Sequence, residues 1–251
     1  IGGHSRAALA FRKLWARQGN GPVKVVVRRT GTLFPGETEI VVSDYGNIPC
    51  HAFHETEAAI NFVGIPQASS SAELRTLNVH VPIEAARRLV RHGGKQFFQL
   101  SSLSVYGEAA DIGRATAVNP ISAYGRSKAD ADAGLVRLAS DNFQPTLVRV
   151  PLIYGPDGGG KLSQLIGLIR NIGWIPVPRT LEPRSMVHAD NLALGLVALI
   201  ESKSTGVRFV ADPEPFGLDR LAAIIRRTGR RARLVRMPTA LFSIMKLIAP
   251  G

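Results

Sequence analysis

The stretch that decides the fold is residues 97–107, FFQLSSLSVYG, in which a short apolar run leads directly into a polar segment. An apolar run of this length, followed by hydroxyl side chains and Gly107, is typical of a buried strand that ends in a loop. Such a strand is continuously apolar, which predicts a sheet that is covered on both faces. Four further runs rich in β-branched residues have the same character: Val23 to Arg28, Glu39 to Val42, Ala58 to Val63 and Thr146 to Val150.

Helical segments separate these strands, and we predict them at Ala7 to Gln18, Ala72 to His92 and Ser127 to Ser140. Strands that alternate with helices indicate an α/β protein with a parallel sheet, and right-handed crossovers make that sheet doubly wound. Ligands of such sheets bind outside the carboxyl ends of the strands. We therefore expect the segments that follow each strand to carry the chemistry.

The character of the sequence changes after Pro151, where prolines and glycines become frequent. This composition indicates a smaller, loop-rich part, with helices near Asn191 to Ser202 and Leu218 to Thr228. We therefore predict two domains, a doubly wound domain over 1–150 and a smaller part over 151–251.

Composition limits the classes of partner. The 251 residues include 31 Lys and Arg against 19 Asp and Glu, a net charge of +12 that favours anionic ligands. No stripe of aromatic and basic residues accompanies the basic cluster at 226–233, so nucleic acid is not an expected partner. No apolar run is long enough to span a bilayer. The single Cys50 excludes a disulfide framework and fits a reducing compartment, and the six histidines lack metal-binding spacing, so no metal is predicted.

The strongest chemical signal is Tyr124 with Lys128, because positions i and i+4 of a helix share one face. A phenol that acts as a base near neutral pH needs about 4 kcal/mol of stabilisation of its anion. An ammonium at about 4 Å contributes an amount of that order. Ser102, at the end of the predicted strand, is placed to bind a substrate oxygen and to relay its proton to Tyr124. The residues alone leave open that these serines cap a helix or turn.

Four segments occur in a diagnostic order: SSLSVYG at 101–107, YGRSK at 124–128, LVRVPLIYGP at 147–156 and RSMVHADNLA at 184–193. In this order the chain resembles the extended short-chain dehydrogenases/reductases, the family of nucleotide-sugar epimerases and dehydratases, from Gly2 to about Thr228. The resemblance implies an NAD(P)-binding Rossmann domain with a smaller C-terminal substrate-binding part. It also implies the catalytic set Ser102, Tyr124 and Lys128. Tyr124 is then the base or acid, Lys128 holds the ribose and lowers the pKa of Tyr124, and Ser102 positions the reacting oxygen.

The same resemblance assigns the binding residues. Asp44 corresponds to an aspartate that contacts the adenine, and Arg184 to an arginine near the diphosphate of the substrate. Cofactor contacts are implied, in addition to Tyr124 and Lys128, for Gly2, Ser5, Arg6, Arg28, Arg29, Asp44, Phe62, Val63, Gly64, Asn78, Leu100, Ser101, Pro151 and Ile153. Substrate contacts are implied for Ser104, Tyr106, Leu152, Arg184 and His188, and for the segment 154–156.

The glycine-rich turn departs from the family pattern. The pattern Gly-x-x-Gly-x-x-Gly brings backbone N–H groups to the cofactor pyrophosphate. Here its three positions are Gly2, Ser5 and Ala8. An alanine at the third position is acceptable, whereas Ser5 places a side chain near the phosphates. The Ser5 hydroxyl or Arg6 is a candidate phosphate ligand instead.

Two further departures distinguish cofactors and reactions. Arg28 and Arg29 follow the strand after which NAD-binding members commonly carry an acidic residue. Because two guanidinium groups suit a 2′-phosphate, NADP is slightly favoured over NAD. The 4,6-dehydratases of the family carry an Asp-Glu pair where this chain has Leu103 and Ser104, which disfavours that reaction.

We therefore predict an NAD(P)-dependent nucleotide-sugar 4-epimerase that acts by hydride transfer through a 4-keto intermediate, with a UDP-linked substrate. The segment 184–192 is similar to members that serve polysaccharide biosynthesis. One alternative is a nucleotide-4-keto-sugar reductase, which uses the same residues. An alternative of another class is a non-catalytic Rossmann subunit or RNA-associated family member. The charge and Ser5 favour this class, and the presence of Ser102, Tyr124 and Lys128 opposes it.

The chain begins at Ile1-Gly2-Gly3 without Met, which we interpret as a fragment that lacks its first strand and part of its substrate-binding region. A cytoplasmic homodimer is expected. Two helices pack into a four-helix bundle in family dimers, and the candidates here are Ala72 to His92 and Tyr124 to Ser140.

Overall fold

A computed structural model describes residues 1–155, 166–167, 169, 171–178 and 183–238. The helices in these residues are α1 (Arg6–Arg17), α2 (Ser71–Arg75), α3 (Val81–Arg91), α4 (Ala123–Val136), α5 (Ala189–Glu201) and α6 (Leu218–Arg227). A π-helical turn, Thr76–His80, joins α2 to α3, and 3-10 turns occur at Tyr45–Asn47, Cys50–Ala52 and Leu103–Tyr106. None of the helices in the described ranges is long and apolar enough to cross a bilayer.

Ten strands are described: β1 (Val23–Val27), β2 (Glu37–Val41), β3 (Ala58–Asn61), β4 (Gln96–Ser102), β5 (Gln144–Val150), β6 (Leu152–Tyr154), β7 (Trp174–Pro178), β8 (Met186–His188), β9 (Gly206–Phe209) and β10 (Arg233–Met237). Four of them form a parallel sheet in the order β3-β4-β5-β9, and β1 and β2 form a parallel pair. The parallel α/β class predicted from the sequence is confirmed.

Residues Ile1 to Gly3 lie between β1 and β3. The N–H of Gly2 donates to the carbonyl of Val26 at 3.0 Å, and the carbonyl of Ile1 accepts from the N–H of Phe62 at 2.9 Å. The start of the chain therefore connects the β1-β2 pair to the four-stranded sheet by backbone hydrogen bonds. Gly2 adopts a φ of +78°, and a Cβ on it would lie 2.9 Å from Cγ2 of Val63, so only glycine fits there without strain.

The sheet is buried on both faces, which explains why its strands are continuously apolar. On one face Phe97 and Leu147 pack with Leu89 of α3 and Leu135 of α4. On the other face α1 and α5 contribute a second cluster, which includes Phe11, Leu192 and Leu196 against Leu100, Val148 and Val150. The result is a three-layer arrangement that leaves the carboxyl ends of the strands to carry the site.

The structure differs from the sequence prediction in the helices. The segment predicted as one helix from Ala72 to His92 is interrupted by the π-helical turn. The helix predicted from Ser127 begins earlier, at Ala123, because Ser122 caps it by accepting a hydrogen bond from the N–H of Gly125 at 2.9 Å. Tyr124 and Lys128 therefore both lie on α4. The strands β6 to β10 were not predicted, because runs of only three to five residues carry a weak signal, and β7 and β9 also contain Pro or Gly.

The chain forms two compact units. The first comprises Ile1–Ile153 and Val187–Ala211, and the second comprises Tyr154–Met186 and Asp212–Gly251. The first unit thus includes α5 and β9, which lie beyond residue 150. The division into domains over 1–150 and 151–251 stays a proposal.

The second unit is built on the parallel pair β7-β10. Its small core brings Leu221, Ala222 and Ile225 of α6 against Val177 and Ala232. Arg184 pairs with Phe216 through two backbone hydrogen bonds of 3.0 and 2.8 Å. Tyr154 donates from its hydroxyl to Asp212 at 2.8 Å, and this hydrogen bond, together with burial, raises the pKa of Tyr154.

Candidate active site

The three predicted catalytic residues meet where β4 ends. Ser102 is the last residue of β4 and lies 9% exposed. Its hydroxyl accepts from the N–H of Ser104 at 3.1 Å and donates to the Ser104 hydroxyl at 3.0 Å. Tyr124 and Lys128 approach the same strand end from one face of α4. Ser102 therefore caps the 3-10 turn Leu103–Tyr106, the role that the sequence left open, and it also lies beside Tyr124.

Lys128 is a buried cation, with 3% of its surface exposed. Its Nζ donates to the carbonyl of Leu100 at 2.9 Å. A Cβ on Gly64 would lie 2.9 Å from this Nζ, so the bare backbone of Gly64 provides the space that the ammonium occupies. Burial lowers the pKa of Lys128 to about 8, and the nearby carboxylate of Asp132 opposes that shift. The ammonium therefore stays mostly protonated at neutral pH.

Burial raises the pKa of Tyr124 above the ordinary phenol value, and a hydrogen bond with Ser102 acts in the opposite direction. The resemblance had implied that Lys128 lowers this pKa. The net shift in the protein alone is upward, because desolvation is the largest effect and the charge of Asp132 adds to it. The lowering by Lys128 stays a prediction. The Ser102 hydroxyl is the neighbouring group that lowers the pKa of Tyr124.

Gly125 allows α4 to approach the 3-10 turn Leu103–Tyr106, which follows Ser102. A Cβ at this position would lie 2.4 Å from the carbonyl oxygen of Ser104, which is backbone and cannot rotate away. The absence of a side chain at Gly125 therefore fixes the distance between Tyr124 and the 3-10 turn that follows Ser102.

We expect Gly125→Ala to reduce turnover by about 10²-fold, since a displacement of reacting groups by about 1 Å has that effect. Alanine favours a helix more than glycine does, so helix propensity alone would predict no loss of turnover in this variant. The measurement is steady-state turnover with thermal unfolding in parallel. Gly113→Ala, where a Cβ would contact nothing within 4 Å, is the matched control. Equal activity of the two variants would contradict the proposed close approach.

Two buried asparagines shape the loop that follows β3. The side chain of Asn61 accepts from the N–H of Val63 at 3.1 Å and donates to the carbonyl of Val63 at 3.2 Å. Asn78, in the π-helical turn, accepts from the N–H of Ile65 at 2.8 Å and donates to the carbonyl of Ile65 at 2.9 Å. It also donates to the Ser127 hydroxyl of α4 at 2.9 Å. The loop that contains the predicted cofactor residues Phe62, Val63 and Gly64 is therefore held from both ends.

The turn before α1 has the form of a dinucleotide cradle. Ser5 caps α1, and its hydroxyl accepts from the N–H of Ala8 at 3.2 Å. The hydroxyl is thereby directed to the helix terminus, which is the part of the turn that the resemblance assigns to the cofactor phosphates. Arg6 donates to the carbonyl of Ile153 at 3.3 Å, which joins two of the predicted cofactor residues. Bare backbone at Gly2 and Gly64, together with this helix terminus, fits a dinucleotide.

The residues that we predicted to bind the adenosine part of the cofactor follow β1 and β2. The guanidinium of Arg28 stacks 5.7 Å from the ring centre of Tyr45, next to Asp44. The carboxylate of Asp44 accepts from the N–H of Gly46 at 2.7 Å and from the Asn47 side chain at 2.8 Å, and these bonds lower its pKa. The structure thus places Arg28 on Tyr45, the residue that follows Asp44, and both Arg28 and Arg29 are exposed.

Other predicted residues have different surroundings. The Ser101 side chain points to Asp132 and Arg149, so any contact of Ser101 with a ligand would come from its backbone. Tyr106 is 5% exposed and packs against Phe209 with ring centres 6.1 Å apart. Pro151 is half-buried at the end of β5, and Leu152 beside it is exposed.

The remaining substrate predictions fall on separate parts of the chain. His188, in the first unit, caps α5 by accepting from the N–H of Asp190 at 3.3 Å. Arg184 belongs to the second unit, where its side chain is exposed. Pro156 lies outside the described residues. The assignment of these residues to the substrate stays a proposal.

The sequence analysis did not predict two buried ion pairs, both of which lie in the first unit. Asp132 and Arg149 pair behind Lys128, and both side chains are 4% exposed. Arg12 and Glu37 form a second pair that ties α1 to β2. Asp132 follows Lys128 by four residues and Tyr124 by eight, so helical periodicity alone would have placed it on the same face of α4.

A model of the NAD dependent epimerase/dehydratase family matches residues 42–211, which contain the end of β4, the loop after β3 and the face of α4 that carries Tyr124 and Lys128. The chain belongs to this family. The UDP-glucose 4-epimerase of Vibrio cholerae is 30% identical to this chain over 135 residues, which are 51% of this chain and 40% of that enzyme. The chain thus matches less than half the length of this relative.

Solved structures show the same fold as this member of the epimerase/dehydratase family. The UDP-glucuronic acid 4-epimerase of Bacillus cereus, in complex with NAD, superposes with a TM-score of 0.82 at 17% identity, covering 94% of this chain and 84% of that one. A dTDP-4-dehydrorhamnose reductase from Clostridium acetobutylicum gives a TM-score of 0.73 at 18% identity, with 94% and 82% covered. The predicted Rossmann-type fold is therefore confirmed.

Proposed function

We propose that the protein is an NAD(P)-dependent nucleotide-sugar 4-epimerase. The observation that carries the proposal is the convergence of Ser102, Tyr124 and Lys128 at the carboxyl end of β4. Ligands of doubly wound sheets bind at this edge, and a structural subunit has no need of a tyrosine base there. Membership of the NAD dependent epimerase/dehydratase family supports the same conclusion.

Each residue has a distinct role in this proposal. The Tyr124 phenolic oxygen takes the proton of the sugar 4-hydroxyl and later returns one to the 4-keto oxygen. Ser102 donates to the same sugar oxygen and keeps the phenol oriented. Lys128, held by the carbonyl of Leu100, binds ribose hydroxyls with its remaining ammonium hydrogens. Bound NAD(P) supplies the acceptor and then the donor of the C4 hydride.

The fit of the site favours NADP over NAD. Arg28 and Arg29 follow β1, where the adenosine ribose of a dinucleotide lies in this fold. NAD-binding members commonly carry an acidic residue at this position, and this chain has the two arginines instead. The stacking of Arg28 on Tyr45 holds one of these guanidinium groups against the turn that follows β2. A 2′-phosphate is therefore the group that this pair of cations would recognise.

We propose a UDP-linked sugar as substrate, because the Vibrio cholerae relative and the Bacillus cereus structure are named for UDP-sugars. A nucleotide-4-keto-sugar reductase is the second candidate, since the same three residues serve hydride delivery. It is also the named activity of the Clostridium acetobutylicum structure. The two differ in their products, because an epimerase returns the cofactor to its starting redox state and a reductase consumes it.

The first experiment measures nicotinamide fluorescence after separate additions of NADH and NADPH, followed by UDP-glucose. We expect enhancement with a Kd at least about tenfold lower for NADPH, as two charge-assisted contacts would give. Incubation with UDP-glucose or UDP-galactose, followed by chromatography, then tests for interconversion without net cofactor turnover. Arg28→Ala is expected to remove the preference for NADPH and to leave NADH binding intact.

The outcomes separate the candidates. Consumption of NADPH with a 4-keto sugar would favour the reductase. Absence of any response to either dinucleotide would mean that Ser5 has removed the cofactor site, and it would favour the non-catalytic class.

We further propose a cytoplasmic homodimer, with α3 and α4 as the contact helices. Val90 and Val136 on these helices are 38% and 53% exposed, which supports an apolar contact there. Cytoplasmic placement accords with a single, unpaired cysteine. A role in polysaccharide biosynthesis rests on the resemblance of the segment 184–192 alone.

A further inference from the structure

Three charged or titratable side chains occupy one face of α4, spaced by four residues, and each reaches one of the last three residues of β4. Tyr124 reaches Ser102, Lys128 donates to the carbonyl of Leu100, and Asp132 accepts from the Ser101 hydroxyl at 2.6 Å. This spacing matches the α-helical repeat. The row therefore extends one turn beyond the two residues that the proposed reaction uses.

Arg149 completes the cluster from β5. It lies opposite Ser101 in the register of β4 and β5, and it contacts the Asp132 carboxylate and the Ser101 hydroxyl. Its guanidinium also lies 5.5 Å from the ring centre of Tyr106. The cluster thus connects the catalytic helix, two central strands and the turn that follows Ser102.

This ion pair is not explained by stability. Among the described residues, neither Oδ1 of Asp132 nor Nε of Arg149 has a hydrogen-bond partner, although both atoms are buried. Burying charges is costly, and apolar residues of similar volume often stabilise a protein as well or better. A pair that is buried and incompletely satisfied directly behind Lys128 therefore points to a role in the site.

We propose that Asp132 is a positioning residue whose carboxylate, one helical turn from Lys128, keeps the Lys128 ammonium charged at the end of β4, while Arg149 holds the Asp132 carboxylate in place. The inference rests on the proposed function, because it assigns Asp132 a role through Lys128.

The electrostatic surroundings of Lys128 support this role. In the part of the chain that the structure describes, Asp132 is the charge that acts on the ammonium. The other neighbours are neutral: the carbonyl of Leu100 from β4, the backbone of Gly64, and the Asn78 side chain nearby. Tyr124 is the other titratable group on the same helix face, and the charge of Arg149 is directed at Asp132. Burial lowers the pKa of Lys128 to about 8, and the charge of Asp132 raises it. Removal of that charge leaves desolvation unopposed.

The test reads the Lys128 ammonium directly, by titrating the side-chain ¹³Cε signals of ¹³C-lysine protein followed by NMR. The chain has seven lysines, and Lys128→Met assigns the signal. We expect the wild-type signal to titrate with a pKa of about 8. In Asp132→Asn the pKa should fall by about one unit. The alkaline limb of kcat/KM should move to lower pH by the same amount.

A second variant separates this effect from folding. Asp132→Asn leaves Arg149 buried without its counter-charge, so this protein is expected to be less stable. Asp132→Asn/Arg149→Met removes both charges and should recover most of the stability, while the Lys128 pKa stays lowered. Glu37→Gln, which removes the carboxylate of the other buried pair, is the matched control and should leave the Lys128 titration unchanged.

The proposal would be overturned by an unshifted Lys128 titration in Asp132→Asn, or by an alkaline limb of kcat/KM that does not follow the measured pKa. A shift in Asp132→Asn that disappears in the double variant would assign the effect to the unpaired Arg149 and would also overturn it. The NMR titration needs neither cofactor nor substrate. A protein without turnover would therefore contradict the proposed function, and the titration would still decide the coupling of Asp132 to Lys128.

Discussion

Tyr124→Phe is expected to lower kcat by about 10³-fold, because it removes the only proton-transfer group assigned to the sugar 4-hydroxyl. The phenylalanine ring fills the same volume, so the fold and the position of α4 should not change. Lys128 still donates to the carbonyl of Leu100 in this variant, and cofactor affinity should stay within about twofold of the wild-type value.

The measurement combines turnover with nicotinamide fluorescence, so that loss of chemistry is distinguished from loss of binding. Ser102→Ala is the companion variant. It removes the hydroxyl that opposes the raised pKa of Tyr124, and it should lower kcat by a smaller factor of about 10²-fold. Undiminished turnover in Tyr124→Phe would exclude Tyr124 as the proton-transfer group and with it the proposed chemistry.

Arg12→Met is expected to have the largest effect on stability, a loss of about 3–5 kcal/mol, because it leaves a buried carboxylate without its counter-charge. Arg12 is 3% exposed and donates to both oxygens of Glu37, at 2.7 and 2.6 Å. It also donates to the carbonyls of Gly3 and Thr32, at 2.7 and 2.6 Å. One guanidinium thus ties α1 and β2 to the turn that carries Gly2 and to the loop that follows β1.

The loss is measured by urea unfolding, followed by Trp15 fluorescence in a Trp174→Phe background, since Trp15 lies on the same helix as Arg12. Arg12→Met/Glu37→Met should recover part of the loss, with about 2 kcal/mol missing for the two carbonyl contacts. Lys95→Met breaks an exposed pair with Glu57 and should cost less than about 1 kcal/mol. Equal stability of Arg12→Met and Lys95→Met would contradict a structural role for the buried pair.

The sequence predicted the sheet, and it placed Tyr124 and Lys128 on one face of a helix, because both depend on short-range patterns. Five strands lie where continuous apolar runs predicted them, and the four-residue spacing of Tyr124 and Lys128 is a property of any helix. The order of the strands and the position of Ile1 to Gly3 between β1 and β3 accord with the topology expected from right-handed crossovers.

The sequence did not predict the interactions that join distant segments. Arg12 and Glu37 are 25 residues apart, and Arg149 and Asp132 lie on different elements, so no local pattern shows that their charges are paired and buried. The raised pKa of Tyr124 depends on burial, which residue spacing does not report. The π-helical turn was hidden because its residues fit a continuous helix equally well.

The side chain of Asn78 holds both backbone groups of Ile65, as a neighbouring strand would. The segment after β3 therefore loses its conformational freedom when the protein folds and not when a ligand arrives. Ordering a loop on binding reduces affinity, since part of the interaction energy is used to restrict the chain. A single amide thus makes this side of the site pre-organised, so that contacts with a dinucleotide here contribute to affinity without that entropic loss.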